Sequence, residues 1–215
     1  TDIKAYKPST NSLGSGQVLQ HAYPFDKAKL IVREMIELLV LDLVDKELVT
    51  DQIVLTIGYD RENLQNSKVK KLYHGEITTD AYGRSIPKSA HGTVNIGRQT
   101  SSTKLIMEAV TGLFERIVDK NLLIRRINIS ANRVIDESDI QKTEMVEQLN
   151  FFTDYKTLHK KREAEEAEFK REKKMQKAML EIKKKYGKNA ILKGMNLEEG
   201  ATTIDRNRQI GGHKE

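Results

Sequence analysis

The chain has 215 residues, 38% hydrophobic and 32% charged, which is room for one good domain with extensions or for two small ones. It has no cysteine, which excludes disulfides and thiolate metal sites and makes a cytoplasmic setting the default, and no run of about 18 uncharged apolar residues that would span a membrane. The net charge of +6 is uneven: residues 26–51 hold 4 basic and 7 acidic side chains, residues 61–133 hold 13 and 6, and residues 155–188 again 13 and 6.

Residues 1–11 are polar and contain Pro8, so they read as an extended arm. The start at Thr1, without Met or signal peptide, fits a piece of a longer protein. Ser12 to Leu19 reads as a short strand, with Gly14 and Gly16 allowing another backbone to come close. Pro24 breaks the chain, and Asp26 is a plausible N-cap. Over 26–47 the apolar residues Ile31, Val32, Met35, Ile36, Leu39, Val40, Leu43 and Val44 recur at helical spacing, with Glu34, Glu37, Asp42 and Asp45 outside that stripe.

Residues 52–59 alternate, Ile53, Leu55, Ile57 and Tyr59 against Val54, Thr56 and Gly58, which predicts a half-buried strand. Residues 61–91 are basic and lack a sustained period. Thirty residues of pure loop would be unusual, so a hairpin or flap through Tyr73–Ile77 and Arg84–Ile86 is expected. Val94 and Ile96 alternate with Asn95, Gly97 and Gln99 in a strand over 93–99. Ser101 or Ser102 can cap a helix over 103–119, striped by Leu105, Ile106, Ala109, Val110, Leu113, Phe114 and Ile117. The last strand, 122–131, sets Leu123, Ile127 and Ile129 against Arg126, Asn128 and Ser130.

The predicted fold class is therefore α+β: a four-stranded antiparallel or mixed sheet with two helices on one face, in β-α-β-β-α-β order. The other sheet face looks outward, lined by small, polar and basic side chains. A long charged helix follows over 154–186, with Asp154 to cap it and Gly187 to end it. Residues 188–215 are Gly-rich and polar, either unstructured or docked on the helix end. The domain division is 1–133 for the sheet domain, 134–153 for a linker, and 154–215 for helix and tail.

No catalytic constellation emerges. The five His are scattered, no Gly-rich phosphate loop is present, and no carboxylate pair is framed for a two-metal site. Asp136, Glu137 and Asp139 read as a solvated turn. No metal site and no cofactor is expected in this stretch, and no catalysis by it.

The junction carries Gln148-Leu149-Asn150-Phe151-Phe152. Two adjacent Phe in a polar linker offer a compact apolar anchor for a pocket on another protein, although they could also fold back on the domain. The pattern resembles the short peptide by which bacterial replication and repair proteins hold the DNA sliding clamp. Further segments resemble one family, the UmuC-like (ImpB/MucB/SamB) branch of Y-family translesion DNA polymerases. They are Tyr6-Lys7-Pro8-Ser9 through Ser12–Leu19, Tyr82-Gly83-Arg84 through Pro87–Gly92, Arg125–Ser130, Tyr186-Gly187-Lys188, and Arg206–Lys214.

That resemblance implies the little-finger domain, its clamp peptide and a tail. It places the magnesium-dependent polymerase chemistry in domains ahead of Thr1. It implies three partners: the backbone of duplex DNA, the bacterial sliding clamp, and accessory repair proteins through the tail. Backbone contact without base reading needs small polar side chains and a few cations, and the candidates are Ser12, Ser15, Gln17, Asn95, Arg98, Gln99, Arg126 and Asn128. Arg98 and Arg125 share parity with buried residues, so each reaches DNA only where its strand ends or bulges. The basic tail helix either touches DNA or docks a repair partner, with docking preferred. Two rivals remain. One is a protein-interaction adaptor using sheet and helix. The other is an RNA-binding sheet, which lacks the aromatic pair that base stacking asks for.

Overall fold

A computed structural model describes residues 11–142 and 155–209, with side chains described up to Ile140 and again from Glu163. The Gln148–Phe152 segment, the first ten residues and the last six lie outside the described residues.

Strand β1 (Leu13–Tyr23) leads into helix α1 (Phe25–Asp45). Pro24, with its fixed φ of −68°, takes the N-cap position, and Asp26 falls in the first turn, where its charge suits the helix dipole. Strand β2 (Leu48–Tyr59) follows, then the short helices α2 (Glu62–Gln65) and α3 (Ser67–Leu72) and a hairpin of β3 (Ile77–Thr79) and β4 (Ser85–Pro87). Strand β5 (Ala90–Thr100) enters helix α4 (Thr103–Ile117), which Ser102 caps by accepting the Leu105 N–H. Strand β6 (Ile124–Asn132) and the two-residue β7 (Ile135–Asp136) complete the domain.

The sheet order is β1-β6-β2-β5 with β7 beside β2, and every pairing is antiparallel. The sequence left the sheet antiparallel or mixed, and the register makes it antiparallel. Helices α1 and α4 cover one face, with the Phe25 and Phe114 rings 4.9 Å apart where they meet. Ile31, Met35, Ile36, Ile53, Leu55, Ile57, Leu113 and Phe114 are almost wholly enclosed between the layers, each apolar side chain contributing roughly 1.5–3 kcal/mol. Gly92 permits this packing, because a Cβ there would stand 2.9 Å from the Leu113 side chain.

Helix α5 (Tyr155–Tyr186) lies on the outside of the helical layer. Gly187, at φ +98°, ends it in the left-handed conformation that suits glycine, and its N–H returns to the Lys183 carbonyl. The chain then folds back through a 3-10 turn at Gly194–Leu197 and helix α6 (Thr203–Asn207). The anchor is Glu34 on α1, which is buried. Its carboxylate accepts from the Asn196 side-chain amide at 2.9 Å, the Thr202 N–H at 2.7 Å and the Thr203 N–H at 3.3 Å. A buried charge survives only when so satisfied. None of the described helices is long and apolar enough to cross a membrane.

Candidate nucleic-acid interface

The register sorts the sheet into cross-strand rows. Three rows face the helices: Leu13–Ala131–Ile53–Val94, Ser15–Ile129–Leu55–Gly92 and Gln17–Ile127–Ile57–Ala90. The rows between them face outward: Gly14–Ser130–Val54–Thr93, Gly16–Asn128–Thr56–His91 and Val18–Arg126–Gly58. On this second face Gly14, Gly16, Val18, His91, Thr93, Arg126 and Asn128 are exposed. It is a shallow polar surface with one guanidinium, Arg126, which makes no ion pair among the described residues.

Close approach at the glycines keeps the surface flat. A Cβ on Gly16 would come within 2.3 Å of the Asn128 Oδ1. Hydrogen bonds hold the remaining side chains in place. Thr56 Oγ1 and His91 Nδ1 are 2.9 Å apart, Gln52 donates to Asn95 Oδ1 at 2.9 Å, and Ser130 donates to Asn132 Oδ1 at 3.0 Å. Arg133 also donates to Asn95 Oδ1 and pairs with Asp51 at 3.0 Å, bringing a second cation to that edge. Groups held in this way meet a phosphate backbone without ordering cost.

The candidate contacts distribute unevenly. Asn95, Arg126 and Asn128 stand on the open face and are exposed, and Ser12 is exposed just ahead of β1. Ser15 and Gln17 stand in rows that face the helices. Gln17 is also covered by the tail: it donates to Thr202 Oγ1 at 2.9 Å and accepts from Arg206 at 3.2 Å. Burial pulls the Arg206 guanidinium below its usual pKa, opposed by the charge on Glu34. The parity of β1 was readable from Leu13 and Leu19, since Ser15 and Gln17 fall between them on the same odd positions.

Arg98 and Gln99 lie where β5 departs from regular pairing. Between the Asn95–Gln52 and Thr100–Thr50 pairs, β5 spends five residues on a step that β2 covers in two, and Gly97 turns there at φ +83°. The bulge sends Arg98 toward α5, with Glu165 at 3.8 Å. Gln99 is half-buried, and its Oε1 is enclosed without a hydrogen-bond partner in the structure. Arg125 donates to the Gln20 carbonyl at 2.8 Å and lies 3.8 Å from Asp60.

Sequence reading missed the acceptor ladder that seats α5. Glu165 faces Arg98, Glu168 pairs with Lys104 at 2.9 Å, and Glu172 accepts from Ser102 Oγ at 2.7 Å and the Lys104 N–H at 3.2 Å. Gln176, buried, donates to the Ser101 carbonyl and to Thr103 Oγ1. Positions 165, 168, 172 and 176 share one helical face, and that spacing was the available signal. Among the described residues no group of His, Asp and Glu could hold a metal ion.

No curated protein matches the chain. A solved structure described as a complex of beta-clamp processivity factor and little finger domain of PolIV is similar at 8% identity. It covers 66% of this chain and 100% of that one at a TM-score of 0.38, a likeness too slight to argue from. Residues 10–145 match the impB/mucB/samB family C-terminal domain, a span that takes in the whole sheet and both covering helices. The chain therefore belongs to the impB/mucB/samB family, the UmuC-like branch of the Y-family translesion DNA polymerases.

Proposed function

We propose that this chain is the DNA-gripping and clamp-tethering C-terminal region of an error-prone DNA polymerase that acts in damage bypass. The observation that carries the reading is the bare polar sheet face, rigid and weakly cationic, backed on its other side by a complete core. A bypass enzyme must accept any template sequence, and this face offers Asn95, Arg126, Asn128 and small neighbours to phosphates rather than a base-reading helix. Ser12, Ser15, Gln17, Arg98 and Gln99 complete the proposed contact set. Ser15 and Gln17 face the helical layer and would reach DNA only at the edge of β1, with the tail moved aside, while Arg98 and Gln99 would reach it only from the bulge in β5.

Under this reading residues 1–133 grip, 134–153 carry the Gln148–Phe152 hook, and 154–215 brace the domain or meet a repair partner. The hook raises the local concentration of a weakly held enzyme at the primer end. Polymerase chemistry and its magnesium ions belong to a catalytic unit elsewhere in the parent protein.

The test is fluorescence anisotropy of labelled duplex DNA with the full chain across a salt series. Arg126→Ala with Asn128→Ala should weaken binding and flatten the salt slope by about one unit for the lost cation. Absence of duplex binding at low salt rejects the grip and favours an adaptor. Phe151→Ala with Phe152→Ala should abolish binding to a bacterial sliding clamp, and unchanged clamp affinity rejects the tether.

A further inference from the structure

The segment between β2 and β5, which α2, α3 and the β3–β4 hairpin occupy, takes no part in the sheet face described above. Its hairpin tip is unusual. Tyr82 is 82% exposed on a turn whose backbone is hydrogen-bonded. Asp80 accepts from the Tyr82 N–H and the Arg84 N–H at 2.9 Å each and from Arg84 Nε at 2.7 Å. Gly83 takes the left-handed turn at φ +73°, which few other residues tolerate. The Arg84 guanidinium lies over one face of the Tyr82 ring, 4.8 Å from its centroid. The other face of the ring is bare. Apart from its contact with Arg84, a large aromatic ring presented this way buries little surface in the fold.

Charge says what would meet it. In this insertion Glu76 is paired with Lys88 and Asp80 with Arg84, and Glu62 is the remaining acid. Arg61, Lys68, Lys70 and Lys71 are all exposed and make no ion pair among the described residues. The exit of the insertion lies beside the open sheet face. Ser89, at its exit, lies 3.8 Å from where a Cβ on Gly58 would stand, and Gly58 is the neighbour of Arg126 in the outermost row.

We propose that the Tyr82 tip and the α3 lysines form a second nucleic-acid contact, for the unpaired strand that leaves the end of the gripped duplex. A base stacks on the bare face of Tyr82, and its phosphates run toward the unpaired lysines. Stacking on an aromatic platform needs no particular base, and the lysines supply the salt-dependent share. This rests on the duplex reading of the sheet face for its geometry, although single-strand binding by the tip stands independently.

The test compares three probes with the full chain: a blunt duplex, the same duplex carrying a ten-thymidine extension, and oligothymidine alone. The extension should tighten binding by about five-fold or more, the lower end of what one stacked base contributes. Tyr82→Ala should remove that gain and leave blunt-duplex affinity untouched, while Tyr82→Phe keeps it, because the ring and not the hydroxyl stacks. Because Tyr82 is exposed, thermal melting should be the same for both variants and the parent. Replacing Lys68, Lys70 and Lys71 with Glu should weaken oligothymidine binding and flatten its salt slope. An extension that adds nothing, or a Tyr82→Ala variant that weakens blunt and extended duplex equally, overturns the proposal. Loss of blunt-duplex binding with oligothymidine binding intact would instead overturn the sheet-face reading.

Discussion

Glu34→Ala tests the buried anchor of the tail. The carboxylate serves two backbone N–H groups and one amide at 2.7–3.3 Å, and Thr202 Oγ1 approaches at 3.4 Å. Hydrogen bonds to a charged group are worth about 1.5–3 kcal/mol each. The two shortest would therefore sum to about 3–6 kcal/mol, reduced because the variant no longer desolvates a carboxylate. A net loss of about 2–4 kcal/mol follows, or roughly 30- to 1,000-fold more frequent opening of the tail at 1.4 kcal/mol per decade. Amide hydrogen exchange reads this directly: Thr202, Thr203 and the turn before them should lose protection, while β2 and β6 keep theirs. Glu34→Gln keeps one acceptor and should fall between. If Thr202 and Thr203 exchange as slowly in Glu34→Ala as in the parent, the tail is held by something other than this carboxylate.

Two further outcomes follow from the same contacts. Asn63 is buried, donates to the Asp60 and Leu123 carbonyls and accepts from the Leu123 N–H, each at 2.8 Å. Asn63→Ala orphans these groups and should cost about 2–4 kcal/mol in urea denaturation; a loss below about 0.5 kcal/mol would mean water replaces them. The Arg84 side chain, followed by the turn amides, holds the Asp80 carboxyl down at about 2. The turn is therefore fully held above the unfolded value near 3.8, and that hold is lost as pH falls through about 2. The Tyr82 and Arg84 amide shifts should titrate with a midpoint near 2, and a midpoint near 3.8 would show that the side-chain pair does not form in solution.

Much of the architecture was legible from periodicity. The stripe from Ile31 to Val44 became the buried face of α1, the alternation around Leu55 and Asn128 fixed which faces are covered and open, and Ser102 capped α4 as its position implied. What was not legible had small or charged residues at the decisive positions. In β1 the run Gly-Ser-Gly-Gln carries almost no contrast between inside and outside, so only its end points set its parity. Glu34 fell outside the apolar stripe, and its burial had no local sign because the tail that covers it lies more than 160 positions downstream. The acids of α5 sit at spacings that suit pairs within the helix, whereas several of their partners belong to the β5–α4 junction.

The seating of α5 bears on how far a ring-shaped partner can stand from the domain. Glu137, at the start of the turn that closes the sheet domain, is tied to Lys173 of α5 by an ion pair, and α5 begins at Tyr155. Phe151 is four peptide units from that first helical residue, a leash of at most about 14 Å. If the clamp tether proposed above forms, covalent reach alone keeps the captured Phe151 within that distance of the first residue of α5.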